Sequence, residues 1–290
     1  MGYGSYSLGD QKLRSAVYDT QTVNQVFTQR KIHGAMDPMD LTLRESRDSE
    51  EHPHSIPIII ALDVTGSMSY VPKLVLTEIM TGVVGKLIQQ GLNDVQILFL
   101  GIGDHTCDRA PIQVGQFESS DELLEKWLKS VYLEGGGGGN EGESYILAHY
   151  VAANFTDHDA FIKRGQKGFL FTIGDEPPLT SISKESLKFI FGDGQYGDVS
   201  LSTCIADAEK KYNVYHIHVN ETGVGRNRGG FEAWKKFLPE HTFSVESYKE
   251  ITQIVADKVL QNTQVLSMVA DSPVVEDNSQ NVINKPQILL

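Results

Sequence analysis

The sequence lacks any long apolar run and any secretory leader. None of its apolar stretches approaches the ~20 residues that a membrane-spanning helix needs, so we expect no transmembrane segment. The first fifteen residues, MGYGSYSLGDQKLRS, contain no apolar core and therefore do not form a signal peptide. The Met-Gly start is followed by Tyr6 where a myristoylation site needs Ser or Thr. These absences predict a cytoplasmic protein.

Cysteine and positive charge are also scarce. The two cysteines, Cys107 and Cys204, are too few to indicate a redox compartment, and the sequence leaves open whether they pair. The chain has 25 Lys and Arg against 38 Asp and Glu, which gives a formal net charge of −13. That balance argues against general nucleic-acid binding and against electrostatic docking on an anionic membrane. It leaves a specific protein partner as the open possibility.

What the sequence does contain is an alternation of apolar strands and amphipathic helices. Apolar runs predict buried strands, and apolar residues at helical spacing predict the helices between them. Because strands that alternate with helices pair in parallel through right-handed crossovers, the fold class predicted is α/β, with a Rossmann-like, doubly wound, mostly parallel sheet flanked by helices. The predicted strands are 56–63, 95–102, 110–117 (an edge strand), 167–173, 212–219 and 241–245, and the predicted helices are 72–90, 121–131, 143–155, 199–211, 231–238 and 248–260.

Composition divides the chain into three parts. Residues 1–55 are polar and weakly periodic, and we interpret them as an N-terminal extension. The α/β pattern occupies residues 56–260, which predicts one large domain. Residues 261–290 form a polar tail, in which Ser272–Val275 and Ile288–Leu290 could add short strands.

Oxygen-bearing side chains follow the first core strand directly. The apolar run from Ile56 stops at Asp63, and hydroxyls follow at Thr65 and Ser67. Residues just past the carboxyl end of such a strand lie where open α/β sheets bind ligands. A carboxylate with alternating hydroxyls offers the hard oxygen donors that Mg²⁺ or Mn²⁺ prefers. Residues 63–67 therefore predict one loop of a metal site.

Two later loops could complete that site. Five glycines at 135–139 precede Asn140, whose side-chain oxygen can coordinate Mg²⁺, while Glu141 and Ser144 lie close enough to compete with it. The third loop follows another predicted core strand and offers Asp175, with Pro177 and Pro178 stiffening the turn. The candidate metal ligands are Asp63, Thr65, Ser67, Asn140 and Asp175.

This arrangement resembles the metal-ion-dependent adhesion site of von Willebrand factor A (vWA) domains. The first loop of that family reads Asp-x-Ser-x-Ser, and here Asp63-Val64-Thr65-Gly66-Ser67 keeps the hydroxyls. The family usually supplies Thr after the glycine pair of its second loop, where this chain has Asn140. The resemblance covers about residues 56–260 and is nearest to intracellular bacterial and phage-type vWA proteins. It implies a vWA fold and a non-enzymatic protein-binding module whose Mg²⁺ or Mn²⁺ accepts an acidic residue from a protein partner.

Other interpretations compete with this one. Asp63, Thr65 and Ser67 are also common helix caps, and Asn140 and Asp175 are common turn residues. A haloacid-dehalogenase-type phosphatase with Asp63 as nucleophile is a further alternative, although the spacing of its other motifs is poor. The chain could also be a structural component of a larger assembly.

Histidines raise separate alternatives. His105 lies in a polar loop, 104–108, that resembles a zinc site but lacks a second ligand pair. His216 and His218 share one face of a predicted strand, and core or interface positions are the favoured interpretation.

Overall fold

A central six-stranded sheet organises the chain in the computed structural model, which describes residues 4–68, 70–134 and 142–270. The strands are β1 (Arg44–Ser46), β2 (Ile56–Asp63), β3 (Val95–Ile102), β4 (Ile112–Val114), β5 (Thr156–His158), β6 (Gly168–Gly174), β7 (Ser181–Ile182), β8 (Val199–Ser200), β9 (Tyr212–Val219) and β10 (Thr242–Val245). Strands β1 with β5, and β7 with β8, form two small separate pairs.

Helices connect these strands. A 3₁₀ turn (Gly66–Met68) and a π-helical turn (Val75–Ile79) follow β2. The helices are α1 (Leu8–Asp19), α2 (Val23–Val26), α3 (Val71–Leu74), α4 (Met80–Gln89), α5 (Asp121–Lys129), α6 (Ile146–Asn154), α7 (Asp159–Arg164), α8 (Lys184–Phe191), α9 (Leu201–Ala208), α10 (Gly223–Asn227), α11 (Gly230–Lys235) and α12 (Lys249–Ala270).

The large sheet is doubly wound. Its strand order is β10-β9-β6-β2-β3-β4, and every pairing is parallel except that of the edge strand β4 with β3. Along the chain, the first strand of this sheet is β2, and β3 and β4 are added on one side of it. The chain then returns to form β6 on the other side of β2. In such sheets, the point where the direction of winding reverses opens a crevice at the carboxyl ends of the strands. The predicted α/β fold class is confirmed, and its switch point lies between β2 and β6.

Two apolar layers cover the faces of this sheet. Side chains alternate along β2, because successive residues of a strand point to opposite faces. Ile58, Ile60 and Leu62 join a layer that contains residues of α4 and α12, and Ile59 and Ala61 join a layer formed by α6 and α9. Because all five β2 side chains are almost fully buried, this strand forms the centre of the molecule and fixes where its carboxyl end lies.

The segments outside the predicted domain also make contacts. Val26, Phe27 and Met36 are buried in the main apolar layer, and β1 pairs in parallel with β5. Helix α12 continues to Ala270, whereas the possible tail strands fall outside the described residues. Cys107 and Cys204 are both free thiols. Along the described residues, no helix combines the length and the apolarity that crossing a membrane requires.

Candidate functional site

Two carboxylates lie at the carboxyl ends of neighbouring strands at the switch point. Asp63 is the last residue of β2, and Asp175 follows the last residue of β6, its neighbour in the sheet. Both side chains are fully buried, each with 0% of its surface exposed. Buried carboxylates need a compensating partner, which in proteins is a cationic side chain, a set of hydrogen bonds or a metal ion. The sheet therefore places two such groups where its strands end.

Hydroxyl groups link the two carboxylates. The Thr65 backbone N–H and Oγ1 both donate to Asp63 Oδ1, at 2.9 and 2.7 Å. Ser67 Oγ lies 3.2 Å from Thr65 Oγ1 and donates to Asp175 Oδ1 at 2.9 Å. Helix α3 has Tyr70 at its N-cap position, so these three first-loop residues do not cap it. The structure thus brings four of the five candidate metal ligands into one continuous cluster.

The second predicted loop is only partly described. Asn140 and Glu141 lie outside the described residues. Ser144 is buried, and its Oγ accepts a hydrogen bond from the His105 backbone N–H at 2.8 Å and lies 2.7 Å from His105 Nδ1. The Ser144 hydroxyl therefore holds the loop after β3 in place.

Two residues of the site were not predicted from the sequence. The Tyr145 hydroxyl donates to Asp63 Oδ2 at 2.8 Å, and Thr222 Oγ1 donates to Asp175 Oδ2 at 2.6 Å. A β-carbon at Gly174 would overlap the Tyr145 hydroxyl, so glycine is needed where the tyrosine reaches between the strands. Thr222 follows β9 at the same edge of the sheet, and that position was the available signal. All four carboxylate oxygens of Asp63 and Asp175 thus accept hydrogen bonds from the protein.

Electrostatics disfavours the charged forms of this pair. Burial, and then the nearby charge of Asp175, raise the pKa of Asp63 to about 7 despite the hydrogen bonds from Thr65 and Tyr145. Burial likewise raises the pKa of Asp175, against the hydrogen bonds from Thr222 and Ser67. Two buried like charges repel, and a cation between them would reverse both effects.

These donors fit a small divalent cation. Among the described residues, no three His, Cys, Asp or Glu side chains are arranged to hold a metal ion, so a cation here would depend on hydroxyl oxygens as well. Two carboxylates and two hydroxyls are hard oxygen donors, and they number fewer than the six positions of octahedral Mg²⁺. The residues present would suit an ion that keeps part of its hydration.

Glu143 is a further acidic residue at this edge. Its backbone N–H donates to the Pro177 carbonyl at 3.0 Å, and its carbonyl accepts from the Leu179 N–H at 2.9 Å. Burial and then the charge of Asp63 raise the pKa of Glu143 to about 10. Its Oε2 is buried and has no hydrogen-bond partner among the described residues. The second loop therefore contributes a described carboxylate that sequence reasoning did not select.

An aromatic cluster lies directly beneath the site. His216 stacks on Trp234 with ring centroids 3.9 Å apart, and Tyr145 meets Trp234 edge-on at 5.4 Å. His216 and His218 are both fully buried, in agreement with the core position favoured from the sequence. Burial lowers the pKa of His149 in the same cluster to about 3, so this imidazole stays neutral.

Comparisons with known proteins show resemblance only among solved structures. No family model and no curated protein matches the chain. The pilus adhesin SpaC from Lactobacillus rhamnosus GG, in its open conformation, is 10% identical with a TM-score of 0.47 over 77% of this chain. The vWF domain of the type V pili tip protein Mfa5 from Porphyromonas gingivalis is 10% identical, with a TM-score of 0.44, over 77% of this chain and 98% of that domain.

A third similar structure is the conserved hypothetical protein BatB from Bacteroides thetaiotaomicron. It is 14% identical with a TM-score of 0.44, over 72% of this chain and all of that one. By contrast, the match to SpaC spans only 31% of the adhesin's length.

Proposed function

We propose that this chain is a metal-dependent protein-binding module of the vWA type, with a Mg²⁺ or Mn²⁺ site at the carboxyl edge of its sheet. One observation carries the proposal: Asp63 and Asp175 are both buried at the switch point, and the Thr65 and Ser67 hydroxyls link them in one chain of contacts. Asp63, Thr65, Ser67 and Asp175 would hold the ion, with Asn140 as the candidate from the second loop.

The ion would supply a fixed positive charge at the surface edge of the sheet. A divalent ion bound by few protein oxygens keeps exchangeable positions, and one of these can accept a carboxylate oxygen from a partner. Because the chain has a net charge of −13, an acidic partner would be repelled in the absence of the bound cation. We therefore expect the partner to be a protein that presents an acidic residue.

The surroundings of Asp63 support binding over phosphoryl transfer. A nucleophilic carboxylate must reach the phosphorus with one free oxygen. Asp63 has no exposed surface, Oδ1 accepts two hydrogen bonds from Thr65, and Oδ2 accepts one from Tyr145. This arrangement suits a held ligand better than an attacking group, so a non-enzymatic role is the one we propose.

Thermal unfolding with and without metal tests the proposal. The variants are Asp63→Asn, which removes one charge at almost constant shape, and Asp193→Asn, whose side chain is 97% exposed in another loop. A metal at ~100 times its dissociation constant stabilises a protein by about 2.7 kcal/mol. We expect Mg²⁺ or Mn²⁺ to raise the melting temperature by several degrees over EDTA in the wild type and in Asp193→Asn. Asp63→Asn should lose that rise.

Two results would contradict the proposal. If neither ion stabilises the wild type, the described donors do not form a metal site, and a structural role in an assembly becomes the better hypothesis. If Asp63→Asn keeps the full metal-dependent rise, the ion binds elsewhere.

A further inference from the structure

The strongest unexplained feature outside the four clustered ligands is the side chain of Glu143. It is 9% exposed, so it has left bulk water almost completely. A buried carboxylate oxygen without a partner is costly, because the lost hydration is not replaced. The free atom is Oε2, which accepts no hydrogen bond within the described part of the chain.

The charges around Glu143 make this cost larger. The charged groups that act most strongly on it are the carboxylates of Asp63, Asp108, Asp104 and Glu176, in that order. Like charges at short range in a low-dielectric interior repel strongly. Glu143 is therefore a buried acidic group whose strongest electrostatic neighbours are acidic too, and its carboxyl stays uncharged unless a cation offsets their repulsion.

The backbone fixes Glu143 beside the proposed cation site. Its N–H and carbonyl bond to Pro177 and Leu179, which follow Asp175 in the third loop. Tyr145 lies two residues after Glu143, and its hydroxyl donates to Asp63 Oδ2 at 2.8 Å. Glu143 is thus tied to both carboxylate-bearing loops, and its position does not depend on its own side-chain contacts.

Direct coordination by a third carboxylate does not fit the arrangement. No trio of His, Cys, Asp or Glu in the described ranges is placed to hold one metal ion. A hydrated divalent ion, however, presents the hydrogens of its bound waters as donors beyond its first layer of ligands. A carboxylate too distant to touch the ion can accept one of these hydrogens.

We propose that Glu143 binds the cation through water: its Oε2 accepts a hydrogen bond from a water molecule on a hydrated Mg²⁺ or Mn²⁺ held by Asp63 and Asp175. The inference rests on the proposed metal site. It assigns the second loop a charged role that is independent of Asn140, and it makes the preferred ligand a divalent ion that retains its water.

Mn²⁺ titration of the full chain tests this role. The variant is Glu143→Gln, which keeps the shape and removes the charge, and the matched control is Glu185→Gln, whose side chain is 72% exposed on α8. Removing a residue that hydrogen-bonds to the ligands of a metal ion typically weakens metal binding 10–100-fold. By calorimetry, we expect Glu143→Gln to bind Mn²⁺ about tenfold more weakly, with Glu185→Gln unchanged. In EDTA, Glu143→Gln should melt no lower than the wild type, because the raised pKa of Glu143 already leaves its carboxyl uncharged near neutral pH.

Water proton relaxation on the Mn²⁺ complexes then separates water-mediated from direct contact. We expect the wild-type ion to retain at least one water and Glu143→Gln to leave the number of bound waters unchanged. A wild-type ion without bound water, or one additional water in Glu143→Gln, would overturn the water-mediated role. The wild-type measurement stands even if the variant does not fold.

The titration also keeps the two proposals apart. If the wild type binds Mn²⁺ and Glu143→Gln binds it equally well, the role of Glu143 is wrong while the metal site stands. If the wild type binds no divalent ion, both fail together.

Discussion

The pKa values of acidic residues are shifted in opposite directions at the two edges of the central sheet. At the amino edge, Asp48 bonds Arg164 at 2.7 Å and Ser55, the residue before β2. Burial alone would raise the pKa of Asp48, but these hydrogen bonds outweigh it and lower the pKa to about 2. At the carboxyl edge, burial and Asp175 raise the pKa of Asp63 to about 7.

The difference lies in the partners. Asp159, also at the amino edge, pairs with Lys163 at 2.7 Å and with Arg47 at 3.0 Å. Asp63 and Asp175 instead accept hydrogen bonds from the hydroxyl groups of two different residues. Cationic side chains therefore compensate the acidic residues of the amino edge, whereas hydrogen bonds from neutral groups compensate those of the carboxyl edge. Perturbed pKa values of the second kind are typical of functional sites, and they support the cation site that we propose there.

The largest expected effect comes from breaking the amino edge. Arg164→Met removes the charge that holds Asp48, and both side chains are mostly buried, with 19% and 13% of their surfaces exposed. Asp48 retains Lys163 at 3.4 Å and the Ser55 hydroxyl, so the loss of Arg164 should cost roughly 3 kcal/mol, the lower end of the range for breaking a buried pair. Urea unfolding should show that loss. As control, Lys210→Met breaks a pair with Asp207 that is largely exposed, and it should change stability by less than about 1 kcal/mol.

The second-largest effect is expected at the carboxyl edge. There the stability that Asp63 contributes should depend on pH with the sign opposite to that of Asp48. Because the pKa of Asp63 is raised from 3.8 to about 7, its contribution to stability is complete below pH 3.8 and is lost as the pH rises through 7. In EDTA, the free energy of unfolding of the wild type minus that of Asp63→Asn should fall by roughly 2 kcal/mol between pH 5 and 7.

Saturating Mg²⁺ should reverse that trend, since the ion binds the deprotonated carboxylates. Taking the difference between wild type and variant cancels the buried histidines such as His149 and His158, whose pKa values burial lowers to about 3 and about 4 and which therefore destabilise the fold as the pH falls. A difference that stays flat in EDTA would show that Asp63 is ionised throughout and would remove the contrast between the edges.

The smallest effect sharpens the comparison within the site. Thr222→Val removes the hydroxyl that donates to Asp175 Oδ2 at 2.6 Å, and it should weaken Mn²⁺ binding about tenfold. Thr222→Ser keeps the donor and should bind within about twofold of the wild type, as measured by calorimetry. Equal loss in both variants would assign Thr222 to packing through its methyl group and not to holding Asp175, because serine keeps both the donor and the cap of α10.

Sequence reasoning succeeded where local pattern and buried position coincide. Strands Val95–Ile102 and Tyr212–Val219 are continuous apolar runs, and their observed bounds match the predicted ones. It did not find α8 (Lys184–Phe191), a helix of eight residues that is too short to show a clear helical period. It also placed Arg44–Ser46 in a polar N-terminal extension, whereas this segment forms a strand by pairing with β5, more than a hundred residues later. No local pattern carries such a contact.

The residues of the candidate site also divide into those that local sequence predicts and those that depend on distant contacts. Asp63 and Asp175 could be placed because each lies at the carboxyl end of a recognisable core strand. Tyr145 and Thr222 could not, because a side chain's direction from a loop depends on how distant segments pack. Glu143 was hidden for another reason: its isolation becomes visible only when its burial and its acidic neighbours are known.

The stack of rings beneath the site gives the molecule an intrinsic optical reporter. Trp234 is fully buried against His216 and meets Tyr145, the residue that contacts Asp63. The other tryptophan, Trp127, lies on α5 with its indole N–H bonded to Glu118 at 2.8 Å. With Trp127 replaced by Phe, all of the tryptophan fluorescence of the chain would come from Trp234. Changes at the carboxyl edge could then be followed by fluorescence in the unlabelled protein, while binding takes place.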